Sequence, residues 1–458
     1  MSGTGDSWGI ALSTHGLAVF ASVLVYVLTT RTAQHRRPPS IAIAWVLGLI
    51  ALPYVVLPIY LLFGRRKVRR KRARAHRPHA DARHWARALI ESFDLSDASP
   101  ARLRLHADGA AARAALGSTI SRAGRRLDVG TFLIGRDEVG RDTTARLIER
   151  ARAGVRVRLL IDGVGALFLP RGARARLAAA GVETAVFSPL LARKTSGPRN
   201  LRNHRKYAIA DETWLWAGGR NLAAEYFEGG AAAPPWRDLS FDLHGAVAAA
   251  ASRQFETDWT ASGGAPAPVL APTAPALEGD AALAQFLPSG PDQTEDTVEA
   301  LLIDACFRAE RRILAVTPYF VPDAALEAAF RLAARRGVDI DVCLPARSNH
   351  RLADFARSRT LRALGAAGVR FHLLPYMVHA KAVVLDDSFA LCGSVNLDAR
   401  SLLLNYESAF ILYGSAEIDW LAAWIQALLP DAQAFDRRAP GLWRDVAEGL
   451  LLSLAYQL

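Results

Sequence analysis

The chain has 458 residues, about half of them hydrophobic, and a formal charge of +12. That length exceeds one ordinary domain and can bury two sizeable cores, while the charge suggests nucleic acid or an anionic membrane as partner. Its distribution argues against nucleic acid: residues 1–77 hold twelve Lys and Arg against Asp6 alone, a local +11 that leaves +1 for the other 381 residues.

From Ser7 to Thr30 no charged residue occurs, and Gly16–Leu28 is strongly apolar. A second uncharged stretch runs from Ile41 to Phe63, rich in Leu, Ile, Val, Tyr and Pro. Each is long enough to cross the roughly 30 Å hydrocarbon layer as a helix, which predicts a two-helix transmembrane hairpin and a basic juxtamembrane segment over 1–77. The first stretch lacks a basic n-region and follows Asp6, so it makes a poor secretory signal; the alternative is a cleaved signal followed by one anchor. Nine Arg and Lys between Arg65 and Arg77 outweigh three between Arg31 and Arg37. The positive-inside rule then predicts a multi-pass membrane protein with its body on the cytoplasmic side and the basic run against anionic headgroups.

Residues 262–281 form an Ala/Pro/Gly-rich linker between two similar stretches, 84–261 and 282–458. Arg125-Arg126-Leu127 before Thr131 is echoed by Arg311-Arg312-Ile313 before Thr317, and Ala153-Gly154-Val155 by Arg336-Gly337-Val338. In each copy an apolar run of strand length, a segment of helical period, a Gly and a second β-branched run follow one another. This alternation predicts two α/β repeats with mixed, largely parallel sheets and a shared cleft. Cys306, Cys343 and Cys392 are odd in number and far apart, so buried reduced thiols are expected.

The chemistry is carried by a motif present once in each repeat. His204, Lys206, Asp211, Gly218 and Asn221 recur at identical spacing as His379, Lys381, Asp386, Gly393 and Asn396. The chain has only five lysines among 56 Lys and Arg, yet both motif positions keep one. A compact ammonium suits a phosphate oxygen as a point charge where a planar fork does not. Each motif reads as a strand, Lys206–Ala210 or Lys381–Leu385, ending at Asp and turning at Gly. His and Lys, two apart, share a face, whereas the parity of Asp211 and Asp386 turns them away. The two Asp complete the motif with the catalytic His and Lys but are expected to be structural. Asn221, Asn396 and Ser394 are candidate phosphate-binding residues.

Two histidines suit a double displacement at phosphorus, one as nucleophile and the other as acid and base. Lysines and asparagines would hold the developing charge, so neither metal nor other cofactor is expected. Each histidine needs a carboxylate on its far nitrogen to fix the tautomer, and Asp238 and Glu407 are the candidates.

These paired motifs resemble those of the phospholipase D superfamily, and the resemblance spans nearly the whole chain. Within it, Pro58-Ile59-Tyr60-Leu61-Leu62-Phe63-Gly64-Arg65, Leu287-Pro288-Ser289-Gly290-Pro291-Asp292, Thr317-Pro318-Tyr319-Phe320 and Asn396-Leu397-Asp398-Ala399-Arg400-Ser401 are similar to segments of bacterial cardiolipin synthases. The resemblance implies transfer of a phosphatidyl group from one phosphatidylglycerol to another with release of glycerol. It also implies His204 as nucleophile, His379 as acid and base, and Asp238 and Glu407 as orienting carboxylates. The motif alone equally serves a hydrolase using water or another phosphatidyltransferase. A nucleic-acid phosphodiesterase is disfavoured by the near-neutral body, and a non-catalytic membrane scaffold by the intact motifs. The expected partners are phospholipids and a bilayer; self-association is left open.

Overall fold

The computed structural model describes residues 4–31, 39–64, 67, 84–189, 200–229, 234–268, 270 and 281–452. Most of the basic run and most of the linker, residues 68–77 and 271–280 in particular, lie outside these.

The N-terminal unit corrects the expected hairpin. The first apolar stretch forms one helix, α1 (Thr4–Arg31), but the second breaks at Leu52 into α2 (Pro39–Ala51) and α3 (Pro53–Phe63). Leu52 precedes Pro53 and is driven out of the helical region, to φ −140° and ψ 61°, while Pro53 starts a new helix where its missing N–H is not needed. At about 1.5 Å per residue these pieces span roughly 20 and 17 Å, well short of the hydrocarbon layer. Among the described residues no helix is long and apolar enough to cross a membrane. Tyr26, Leu49 and Tyr60 form a small common core, and Thr29 Oγ1 lies 2.6 Å from the Tyr60 hydroxyl, tying α1 to α3.

The body is built on a single mixed sheet. The first repeat contributes β1 (Ser99–His106), β2 (Arg126–Thr131), β3 (Arg156–Asp162), β4 (Glu183–Phe187), β5 (Tyr207–Ala210), β6 (Trp214–Gly218) and β7 (Ser240–Gly245). The second contributes β8 (Ala282–Ser289), β9 (Arg312–Val316), β11 (Asp339–Pro345), β12 (Arg370–Leu374), β13 (Ala382–Leu385), β14 (Phe389–Gly393), β16 (Glu407–Leu412) and an edge strand, β17 (Gln433–Ala434). Two short strands, β10 (Phe320–Val321) and β15 (Leu397–Asp398), pair separately. The order β17-β12-β11-β9-β13-β14-β16-β8-β1-β7-β6-β5-β2-β3-β4 reads nearly the same from either end. Its centre is the β1–β8 seam, where Ser99–Ala101 pair antiparallel with Ala282–Ala284.

Only β2–β3, β3–β4, β9–β11 and β11–β12 are parallel; the other neighbours in this sheet are antiparallel. The expectation of largely parallel sheets therefore fails. Crossover helices such as Glu138–Arg152 and Ala324–Arg335 join only the outer strands. The motif strands β5–β6 and β13–β14 are joined by tight turns, which can only reverse the chain. Cys306, Cys343 and Cys392 are buried and free.

Candidate active site

Each histidine stands just before a central strand of its own repeat and is held by the other repeat. His204 precedes β5 and donates its backbone N–H to the carbonyl of Tyr406 at 2.8 Å. His379 precedes β13 and donates to the carbonyl of Arg237 at 2.7 Å. Single parallel bridges, Asn203 with Tyr406 and Arg237 with Val378, fix both crossings. The residue following each bridging partner is a carboxylate. His204 Nδ1 therefore lies 3.0 and 3.1 Å from the two oxygens of Glu407, and His379 Nδ1 lies 2.7 Å from Asp238 Oδ2. Each carboxylate leaves the Nε2 of its histidine as the nitrogen for chemistry.

Both carboxylates are fully buried. Burial raises their pKa, but the groups facing them more than offset it: His379 and Lys381 bring Asp238 down to about 2, and His204 and Lys206 lower Glu407. Glu407 also accepts from Ser394 Oγ and Ser401 Oγ, both at 2.5 Å, and from Asn405 Nδ2 at 3.2 Å. Asp238 accepts from the backbone N–H of Leu239 at 2.7 Å.

The lysines sit within the same buried volume. Lys206 donates to the carbonyl of His204 at 2.8 Å, and the Lys381 ammonium lies 2.8 and 2.9 Å from the two ring nitrogens of His379. Burial pushes Lys206 down to about 7 and Lys381 to about 8, with Lys381 adding repulsion on Lys206. Burial likewise lowers both histidines, His379 to about 3 with Lys381 contributing, and His204 also below its ordinary value. Each motif feels the charges of the other: Lys381 acts on His204, and Lys206 on His379. Two buried lysines and two carboxylate-held histidines drawn together in this way suit a phosphodiester.

Aromatic rings wall the two halves differently. Phe132 stands edge-on to His204 with centroids 5.4 Å apart, while Tyr226 and Trp236 lie 5.0 and 5.6 Å from His379. His204 keeps 15 % of its side chain exposed, against 5 % for His379.

The remaining motif residues divide. Asn221 and Asn396 are buried, and the Oδ1 of each has no hydrogen-bond partner. Ser394, expected at the phosphate, is fully buried with its hydroxyl given to Glu407, because the turn after β14 brings it under that carboxylate. Asp211 and Asp386, grouped with the catalytic residues as members of the motif, lie at the far ends of β5 and β13. There Asp211 accepts from the N–H groups of Gly124, Arg125 and Arg126, and Asp386 from those of Glu310, Arg311 and Arg312. The chain reverses at these aspartates, at φ 52° and 47°, rather than at the glycines, which come later at the ends of β6 and β14. Among the described residues no group of three or more His, Cys, Asp or Glu is placed to hold a metal ion.

Sequence reasoning missed Arg205. It is fully buried between the motif His and Lys and donates to both oxygens of Asp258, to Asp292 and to the carbonyls of Glu407 and Ser289. Its parity, opposite to His204 and Lys206, was the available signal: an Arg facing away from a buried strand needs a buried acid behind it.

The model of the cardiolipin synthase, phospholipase D-like domain matches residues 116–259 and 302–429. A phospholipase D-nuclease N-terminal model matches residues 17–65. Cardiolipin synthase A of Pseudomonas aeruginosa is 32 % identical over 450 residues, covering 92 % of this chain and 90 % of that protein. The chain belongs to the phospholipase D-like cardiolipin synthase family. Cardiolipin synthase A of Pseudomonas putida strain W619 is 34 % identical over 418 residues, covering 86 % of this chain and 85 % of its own. Among solved structures, phosphatidylserine synthase of Haemophilus influenzae shares the fold at a TM-score of 0.62, with 12 % identity, over 81 % of this chain and all of that one. Within the family frame, the crossed pairs His204–Glu407 and His379–Asp238 join the two matched stretches of chain into one site.

Proposed function

We infer that the chain is a cardiolipin synthase that moves a phosphatidyl group from one phosphatidylglycerol to another. The observation that carries the mechanism is the crossed pair of carboxylate-held histidines with both lysines buried between them. His204 is the nucleophile: Glu407 holds a proton on Nδ1, and its ring is the more exposed of the two. Its Nε2 attacks the phosphorus of the first lipid, and the bond to the glycerol headgroup breaks. His379, charged once the phosphate is bound, gives its Nε2 proton to the departing oxygen, and glycerol leaves. The terminal hydroxyl of a second phosphatidylglycerol then loses its proton to His379 and attacks phosphorus. The P–N bond breaks, cardiolipin is formed and His204 is restored.

Lys206 and Lys381 neutralise the phosphoryl oxygens throughout, and the amides of Asn221 and Asn396 donate to them. Asp238 and Glu407 orient the rings, and Ser394 orients Glu407. Asp211 and Asp386 hold the turn geometry behind the strands.

The N-terminal unit holds the body at the cytoplasmic face of the membrane. Leu17, Phe20, Ile43, Leu47, Tyr54 and Val55 are large apolar side chains left exposed on α1–α3, a surface that lipid covers more favourably than water.

Detergent-purified protein incubated with phosphatidylglycerol and chelator, its lipids followed by mass spectrometry, tests the reading. Cardiolipin and glycerol are expected from the wild type, and neither from His204→Ala or His379→Ala. Phosphatidic acid as the sole product would make it a hydrolase.

A further inference from the structure

Of the five lysines, two stand in the motifs; the others are Lys67, Lys71 and Lys194. Lys67 lies three residues beyond Gly64, which caps the end of α3. Its ammonium donates to the carbonyls of Gly290, Gln293 and Glu295 at 3.1, 3.1 and 3.2 Å and lies 2.8 Å from Asp296 Oδ1. Only 14 % of its side chain is exposed. Acceptors converging on one point fit an ammonium and not a planar guanidinium fork, which accounts for a lysine in a chain that otherwise prefers arginine.

The loop that Lys67 grips touches the site from its other face. Gly290 turns at φ 142°, and a Cβ there would meet the carbonyl of Asn405 at 2.9 Å and the Cα of Tyr406 at 3.0 Å. Asp292 accepts from Arg205 at 3.1 and 3.2 Å, and from Gln254 and Gln293 at 2.8 and 2.9 Å. Arg205 also holds the carbonyls of Ser289 and Glu407. A line of polar contacts thus runs from Lys67, three residues beyond α3 in the chain, through the Gly290–Asp296 loop to Arg205, which precedes Lys206, follows His204 and binds the carbonyl of Glu407, the partner of His204.

We propose that Lys67 is a positioning residue, which sets this loop and, through Arg205, the placement of His204, so that turnover depends on how the apolar N-terminal unit is seated. The kinetic part rests on the reading of His204 as a catalytic histidine; the placement part does not.

Full-length Lys67→Met and Lys67→Arg are compared with wild type in phosphatidylglycerol–phosphatidylcholine vesicles, by hydrogen exchange and by steady-state kinetics. Arg keeps the charge, so a defect there does not come from lost attraction to the membrane. Amides of residues 203–206 and 289–296 are expected to exchange faster in Lys67→Met. Its kcat should fall about tenfold with KM within twofold of wild type, the signature of a displaced reacting group and not of weakened lipid binding. A partial defect in Lys67→Arg agrees with the cage geometry. Wild-type exchange at residues 203–206 in both variants overturns the proposal, as does faster exchange with unchanged kcat, which would leave Lys67 a structural pin. If the wild type makes no cardiolipin, the proposed activity fails while exchange at residues 203–206 still decides the placement.

Discussion

The two half-sites follow one plan and differ where each carboxylate meets the turn beneath it. In the second repeat that turn carries Ser394, whose hydroxyl binds Glu407. In the first it carries Gly219, and a Cβ there would lie 2.3 Å from Asp238 Oδ1. The shorter aspartate must approach the backbone more closely to reach His379, and glycine leaves it room. The longer glutamate reaches His204 from further away and needs hydroxyls to steady it. One histidine is therefore held tightly and walled by Tyr226 and Trp236, the other held by a wider network and left more open. Two copies of one motif thus hold their histidines in different ways.

Substitutions in each half-site test the difference. The largest effect belongs to the histidines: His204→Ala and His379→Ala should each lower turnover by about 10³-fold or more, as loss of a nucleophile or acid/base group does. Only His379→Ala can carry the phosphatidyl group on His204, detected by mass spectrometry of peptides kept at alkaline pH because the P–N bond is acid-labile; the adduct on His379 in His204→Ala instead would reverse the roles. Next come the turns. Gly219→Ser crowds Asp238 and should cost about tenfold or more in kcat, whereas Ser394→Gly removes one hydrogen bond to a charged group and should cost about tenfold at most. Equal losses would deny the asymmetry.

The pH profile is subtler. Lys206 and Lys381, at about 7 and 8, lose their charge as pH rises, so kcat/KM should decline from about pH 7 upward. Lys206→Arg cannot lose its charge and should push the alkaline limb upward while lowering kcat. On the acid side the lowered pKa of His204 keeps it unprotonated below 6.5, so activity should persist further into acid than an ordinary histidine allows. The smallest kinetic effect is expected at the motif aspartates. Asp211→Asn or Asp386→Asn weakens bonds to three backbone N–H groups and should cost about 1–3 kcal/mol of stability, seen as a lower Tm, with kcat nearly unchanged.

What the sequence disclosed was what repeats or alternates. The spacing of His204, Lys206 and Asn221 recurs in the second repeat, and alternation along the strand placed Asp211 and Asp386 away from the histidines. Hydropathy alone saw Ile41–Phe63 as one apolar span, because it weighs side chains and not the backbone of the residue before Pro53. Strand direction was misread because alternation of apolar runs is the same whether a tight turn or a helix joins them. Ser394 turns its hydroxyl to Glu407, thirteen residues on, a contact across strands that no local spacing announces. The pairing of His204 with Glu407, 203 residues away, leaves no local trace.

The crossing of carboxylates has a consequence during synthesis. Until His379 has left the ribosome, Asp238 has no histidine to hold, and until Glu407 follows, His204 has no carboxylate to fix its tautomer. A nascent or truncated chain is thereby kept chemically silent: the enzyme can act only once it is essentially whole.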